Sequence, residues 1–129
     1  MKTTKITEHF TQEEFNCKDG SIVPIKFIGN LHLLCQNLEI IRESLKCPIH
    51  VNSGYRSPEY NKKVGGVSNS QHLQAKAVDI STKNYTPSQV HKIIYNLIMT
   101  HRIMAGGLGL YYGFVHYDIR GHYIGWDNR

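Results

Sequence analysis

The chain has 129 residues, 15 Lys and Arg against 10 Asp and Glu, eleven glycines and 40% hydrophobic residues. That length and balance suit one compact core and exclude a disordered, collagen-like or coiled-coil chain. The basic excess is scattered and no basic run is interleaved with aromatics, so a nucleic-acid groove is not expected, although an anionic partner would be favoured.

The first residues, M-K-T-T-K-I-T-E-H-F, contain no apolar h-region, and no stretch approaches a membrane span. Neither a signal peptide nor a transmembrane segment is therefore expected. Residues 1–30 read as a lead-in packed on the main body. Thr11-Gln12-Glu13-Glu14 is a capping box that opens a short helix through Phe15, with Phe10 and Phe15 as anchors in the core. Lys18 to Ser21 reads as a turn. Ile22 to Ile28 contains Pro24 and reads as extended chain outside a central strand.

Residues 31–46 form the first strong helix. Leu31, Leu34, Leu38, Ile41 and Leu45 recur at three- and four-residue steps and make one apolar stripe. Asn30 is the expected N-cap, and Pro48 ends the pattern. His32 falls off the stripe and reads as a surface residue. Cys17, Cys35 and Cys47 match no zinc-ribbon spacing, and an odd count cannot pair fully within the chain. Free thiols are expected, as in a reducing compartment, with Cys35 acting as a small buried hydrophobe.

Ile49 to Asn52 reads as a short strand, broken by Ser53-Gly54-Tyr55-Arg56. Ser57-Pro58 is an N-cap followed by proline at the first helical position, and Gly65-Gly66 ends the short helix. Residues 65–75 read as a polar loop that holds His72. Ala77 to Ser81 alternates: Val78 and Ile80 face one way, Asp79 the other. Thr86-Pro87-Ser88-Gln89 is a second capping box. It opens a helix to about Thr100, with His91 and His101 solvated. Residues 106–120 read as a hairpin turning at Tyr112-Gly113. Its return strand puts Val115, Tyr117 and Ile119 on one face, and Phe114, His116, Asp118 and Arg120 on the other. The last residues add a short strand, with Trp126 closing an edge of the core. The fold class is α+β: a small, largely antiparallel sheet with helices on one face, as a single domain over residues 1–129.

If the Asp79 strand and the His116 strand are neighbours, both side chains leave the same side of the sheet. A tight return at Ala75-Lys76 would swing His72 over them. Two imidazoles and one carboxylate leave a position open on zinc, which is the ligand set of a catalytic site. The spacing alone also allows unrelated polar residues.

At these residues the sequence resembles the zinc D-alanyl-D-alanine carboxypeptidase family, which includes vancomycin-resistance carboxypeptidases, phage murein endopeptidases and the hedgehog signalling domain. The family signature S-x-H-x-x-G-x-A-x-D is matched by Ser70, His72, Ala75, Ala77 and Asp79, with alanine in place of the usual glycine. Phe114 to Asp118 matches the strand bearing the last histidine, and Asn52 to Gly66 matches the segment ahead of the site. The similarity runs over about residues 8–121.

The resemblance implies one zinc ion per chain held by His72, Asp79 and His116, and hydrolysis of peptidoglycan peptides. A single domain, expected to be a monomer and without a visible signal peptide, suits a phage-type lysin delivered to the cell wall by another protein, and equally an enzyme or domain detached from its usual context. The resemblance also makes Arg56 the group for a substrate carboxylate or a developing oxyanion; otherwise it is a loop donor. Ser70 would bond a ligand or cap its loop. Gly113 stands where some relatives carry a glutamate base, and Phe114 where others carry a second histidine. Asp118 is the remaining candidate base, or else the residue that orients a ligand imidazole; His122 is a weaker one. The alternative is a zinc-bearing binding module without catalysis. No nucleic-acid or membrane partner is expected.

Overall fold

The computed structural model describes residues 3–129. Strands β1 (Lys5–Thr7) and β2 (Phe10–Thr11) make a two-stranded ribbon. Helices α1 (Ile28–Leu45), α2 (Pro58–Lys63) and α3 (Pro87–Met99) accompany a five-stranded sheet. The sheet consists of β3 (His50–Ser53), β4 (Ala77–Ser81), β5 (Gly107–Leu110), β6 (Val115–Asp118) and β7 (Ile124–Asp127), in the order β3-β4-β6-β5-β7. All neighbours are antiparallel except β5 and β7. The class is α+β, as the patterning predicts.

One face of the sheet is the core. Val78 and Ile80 on β4, Val115 and Tyr117 on β6, and Leu108 on β5 have no exposed surface. They join the stripe of α1, in which Leu31, Leu34, Leu38, Ile41 and Leu45 are all buried, and Val90, Ile94, Leu97 and Ile98 of α3. The Tyr117 hydroxyl reaches the Met104 carbonyl at 2.7 Å, which satisfies its polar end inside the core. The three cysteines are free and buried. Among the described residues no helix is long and apolar enough to cross a membrane.

Three expectations change in detail. The first strong helix begins at Ile28, because a 3-10 turn over Ile25–Phe27 follows Pro24 and runs straight into it. Asn30 is therefore inside the helix rather than capping it, and its amide donates to the Gln74 carbonyl at 3.0 Å. The capping box at Thr11 is present, but it opens a 3-10 turn (Gln12–Phe15) and not an α-helix. Trp126 belongs to β7 as a strand residue, yet it lies over the polar face of the sheet and not against the core.

Candidate metal centre and its cleft

Alternation and register bring the polar residues together. Asp79 on β4 is the direct partner of His116 on β6, and Ala77 of Asp118, so all four side chains leave the face opposite the core. His72 arrives from outside the sheet. It sits in a 3-10 turn (Gln71–Gln74), and its own N–H is taken by the Ser70 hydroxyl at 3.2 Å. Ala75 ends the turn in the left-handed region, at φ 57°, and reverses the chain into β4. That conformation is the one glycine adopts without strain, which explains the glycine in the family signature.

Each imidazole is gripped from behind. Nδ1 of His72 bonds the Gly54 carbonyl at 2.6 Å, and Nε2 of His116 bonds Asp118 Oδ2 at 2.7 Å. A carbonyl and a carboxylate can only accept, so these nitrogens carry the protons. His72 Nε2 and His116 Nδ1 are left facing one oxygen, Asp79 Oδ1, at 3.3 and 3.0 Å. The three donor groups lie within 4.8 Å of one another, and all three residues are buried.

In neutral rings this arrangement aims two nitrogen lone pairs at a buried carboxylate. A cation between them, or protonation of the rings, relieves the repulsion. Burial alone would lower the His116 pKa and raise that of Asp79. The hydrogen bonds of His116 to Asp118 and Asp79 outweigh burial and raise its pKa, while those of Asp79 to His116 and His72 hold its carboxyl below the usual range. Two imidazoles and a carboxylate, with both rings oriented through their second nitrogens, fit zinc.

Asp118 is fully buried and occupied on both oxygens. Oδ1 accepts from the Gly107 N–H at 2.8 Å and from Arg120 Nε at 2.9 Å; Oδ2 accepts from Arg120 Nη2 and from His116, both at 2.7 Å. Burial would raise its pKa, but Arg120, His116 and the Gly107 N–H together hold it well below the usual carboxylate range. The carboxylate stands on the far side of the His116 ring from Asp79. Arg56 lies in front of the site. Nη2 is 3.5 Å from Asp79 Oδ2 and Nη1 is 3.4 Å from Asn61 Oδ1, while its buried Nε has no partner among the described residues. His122 is exposed and outside the cleft.

The centre opens into a cleft of about 680 Å³. Arg56, Ser70, Tyr111, Phe114, Arg120 and Trp126 line it beside the three donor residues. Its only lining carboxylate among the described residues is Asp79. The wall on the β5 side depends on two glycines whose importance the sequence pattern understates. A Cβ on Gly107 would collide with Asp118 Oδ2, and one on Gly109 with Trp126 Nε1. Glycine alternating with leucine in a strand was the available signal, since it marks a face where something approaches closely.

A family profile described as Peptidase M15 matches residues 8–118, which include Asp79, His116 and the turn of His72. The chain belongs to the peptidase M15 family. No curated protein matches it individually. Members of the M15 family are metallopeptidases, and the His72, Asp79 and His116 cluster is where this M15 chain can hold a metal ion.

Proposed function

We propose that this M15 chain is a zinc-dependent peptidase acting on peptidoglycan, either as a D-Ala-D-Ala carboxypeptidase or as a murein endopeptidase. The observation that carries the reading is the convergence of two back-anchored imidazoles on one carboxylate oxygen at the floor of an open cleft. His72 Nε2, Asp79 and His116 Nδ1 would hold one zinc ion. Zinc bound there supplies a Lewis acid and lowers the pKa of a coordinated water, to about 7 in favourable sites.

The protein's own residues then do three things. Gly54 and Asp118 fix the ring orientation and the proton positions of the two histidines. Arg56 bonds weakly to Asp79 and Asn61, at distances long enough to exchange for a substrate carboxylate or oxyanion. Ser70 caps the turn that carries His72. Asp118, enclosed behind His116, is assigned the positioning role and not that of the base. Arg56 and Arg120 make the cleft cationic apart from Asp79, which suits peptides rich in carboxylates.

The test is digestion of purified peptidoglycan and of a D-Ala-D-Ala-ended peptide, before and after zinc is restored to chelated protein, read by mass spectrometry. Zinc-dependent release of alanine, or cleavage of a cross-link, is the expected result and identifies the bond. One observation favours a second reading, a zinc-bearing module without catalysis: no carboxylate besides Asp79 lines the cleft among the described residues, with Gly113 and Phe114 at the positions relatives use. One bound zinc per chain with no product would establish that reading instead.

A further inference from the structure

Resting on the peptidase reading, we propose that the Tyr111 hydroxyl is a catalytic hydrogen-bond donor of this site, aimed by Trp126 at the tetrahedral centre formed from the scissile carbonyl. Tyr111 follows β5 and lines the same cleft as His72, Asp79 and His116. Its ring is stacked on Phe114 with centroids 4.4 Å apart and planes inclined by 13°. Its oxygen accepts the indole N–H of Trp126 at 2.9 Å.

An indole nitrogen only donates, so this bond uses an oxygen lone pair and leaves the phenolic hydrogen unspent. A phenol O–H prefers its ring plane, where there are two directions. With Trp126 on one side, the hydrogen takes the other. No described residue accepts it, and Tyr111 lines the cleft, so the hydrogen is available to a ligand bound there.

The aim is rigid because Trp126 is held on three sides. Its indole occupies the space left by the missing side chain of Gly109. Its ring lies 5.1 Å from that of His116, and the Arg120 guanidinium lies 5.9 Å above it. The phenol is thus tied through one indole to a metal-site histidine. Arg120 is committed to Asp118, and Arg56, 3.5 Å from Asp79 and 3.4 Å from Asn61, is free to take a substrate carboxylate, which leaves the phenol for the carbonyl oxygen. A neutral donor held in place before the reaction needs no reorganisation as negative charge develops on the carbonyl oxygen; removing one such donor costs roughly 10²-fold or more in kcat. The step is a hydrogen bond alone, and no proton leaves the phenol.

The experiment compares the unsubstituted protein with Tyr111→Phe and Trp126→Phe on the peptide the unsubstituted protein cuts. The readouts are zinc content, kcat, KM, and the affinity of a phosphinate analogue of that peptide. Tyr111→Phe keeps the stacked ring. It is expected to retain zinc and KM, and to lose about 10²-fold in kcat. The phosphinate, a tetrahedral mimic, should lose affinity by a similar factor. Trp126→Phe leaves the hydroxyl unaimed and is expected to lose a smaller part of both. Full kcat in Tyr111→Phe, or loss of zinc together with activity, overturns the assignment while the peptidase reading stands. If the unsubstituted zinc-loaded protein cuts neither peptidoglycan nor D-Ala-D-Ala peptide, the peptidase reading fails and the assignment fails with it.

Discussion

Replacing Asp118 with asparagine separates a positioning carboxylate from a catalytic base. The amide would keep the shape but present one NH2 where a carboxylate oxygen was. Oδ2 now accepts from His116 and Arg120, and Oδ1 from Gly107 and Arg120, so whichever way the amide turns, a donor meets donors. Loss of the partner behind a metal-bound imidazole weakens metal affinity by about 10–100-fold. Leaving Arg120 with half a partner in a buried site destabilises the fold by roughly 3 kcal/mol or somewhat less, since Arg120 is partly exposed. Zinc competition against a chromophoric chelator measures the first effect, and urea denaturation the second. Turnover at saturating zinc is the deciding number. As a positioning residue, Asp118→Asn should then recover to within about tenfold of the parent, whereas loss of a base costs about 10²–10⁴. Unchanged zinc affinity, or a deficit of about 10² or more that zinc cannot restore, would refute the positioning role.

Other substitutions test the supports around the centre. Gly54→Ala would put a methyl 2.7 Å from the Phe15 Cα and push the N-terminal segment off the loop whose carbonyl holds His72. A loss of about 1–3 kcal/mol in urea, with weaker zinc binding, is expected, and normal values for both would detach that segment from the site. Gly109→Ala should displace the indole of Trp126, the single tryptophan, and shift its fluorescence to the red; an unmoved spectrum would contradict the close approach. Asp19 accepts from the Ser57 hydroxyl at 2.6 Å and from the Ser21 N–H at 2.8 Å, which hold its carboxyl well below the usual range. A depressed carboxyl stabilises the fold above its unfolded pKa of about 3.9, and the contribution disappears as pH falls below that value. Asp19→Asn should therefore flatten the acid limb of stability against pH, and an unaltered limb would show that the cap at Ser57 carries no such linkage.

Much of this arrangement was legible because the informative patterns are local. The alternation in Ala77–Ser81 and Val115–Asp118 placed Asp79 and His116 on the polar face, and the sheet pairs them directly. Ser57 and Thr86 cap their helices through the side-chain bonds that their sequence context implies. What was not legible depends on contacts between distant segments. The role of Asn30 comes from a bond across 44 positions, and local pattern reads it only as a cap. Trp126 looks like a core residue by size and composition. It lies over the polar face because β7 runs parallel to β5 and Gly109 leaves it room, neither of which periodicity encodes. The enclosure of Asp118 was hidden for a similar reason. Alternation puts it on the face of His116 and Arg120, but the Gly107 N–H that completes its shell comes from the neighbouring strand.

The geometry of the centre is inherited from the core on the reverse side of the same strands. Val78 pairs with Tyr117 and Ile80 with Val115, and between them stands the pair of Asp79 with His116. A slip of one residue between β4 and β6 would turn Asp79 into the apolar layer against α1 and α3, and turn Val78 or Ile80 out into the cleft. The cost of exposing even two such side chains is about 3–6 kcal/mol, comparable with the whole stability of a small domain. The register that places two of the three donor groups is thus enforced by burial, independently of any ion. His72 has no such guarantee. Its position rests on the Ser70 cap, the left-handed Ala75, the Asn30 bond to Gln74 and the Gly54 carbonyl, each an isolated interaction outside the packed core. Asp118 behind His116 apart, loss of metal affinity through substitutions that leave the fold intact should therefore concentrate in the supports of His72, while substitutions in the apolar layer beneath Asp79 and His116 should unfold the protein before they release the metal.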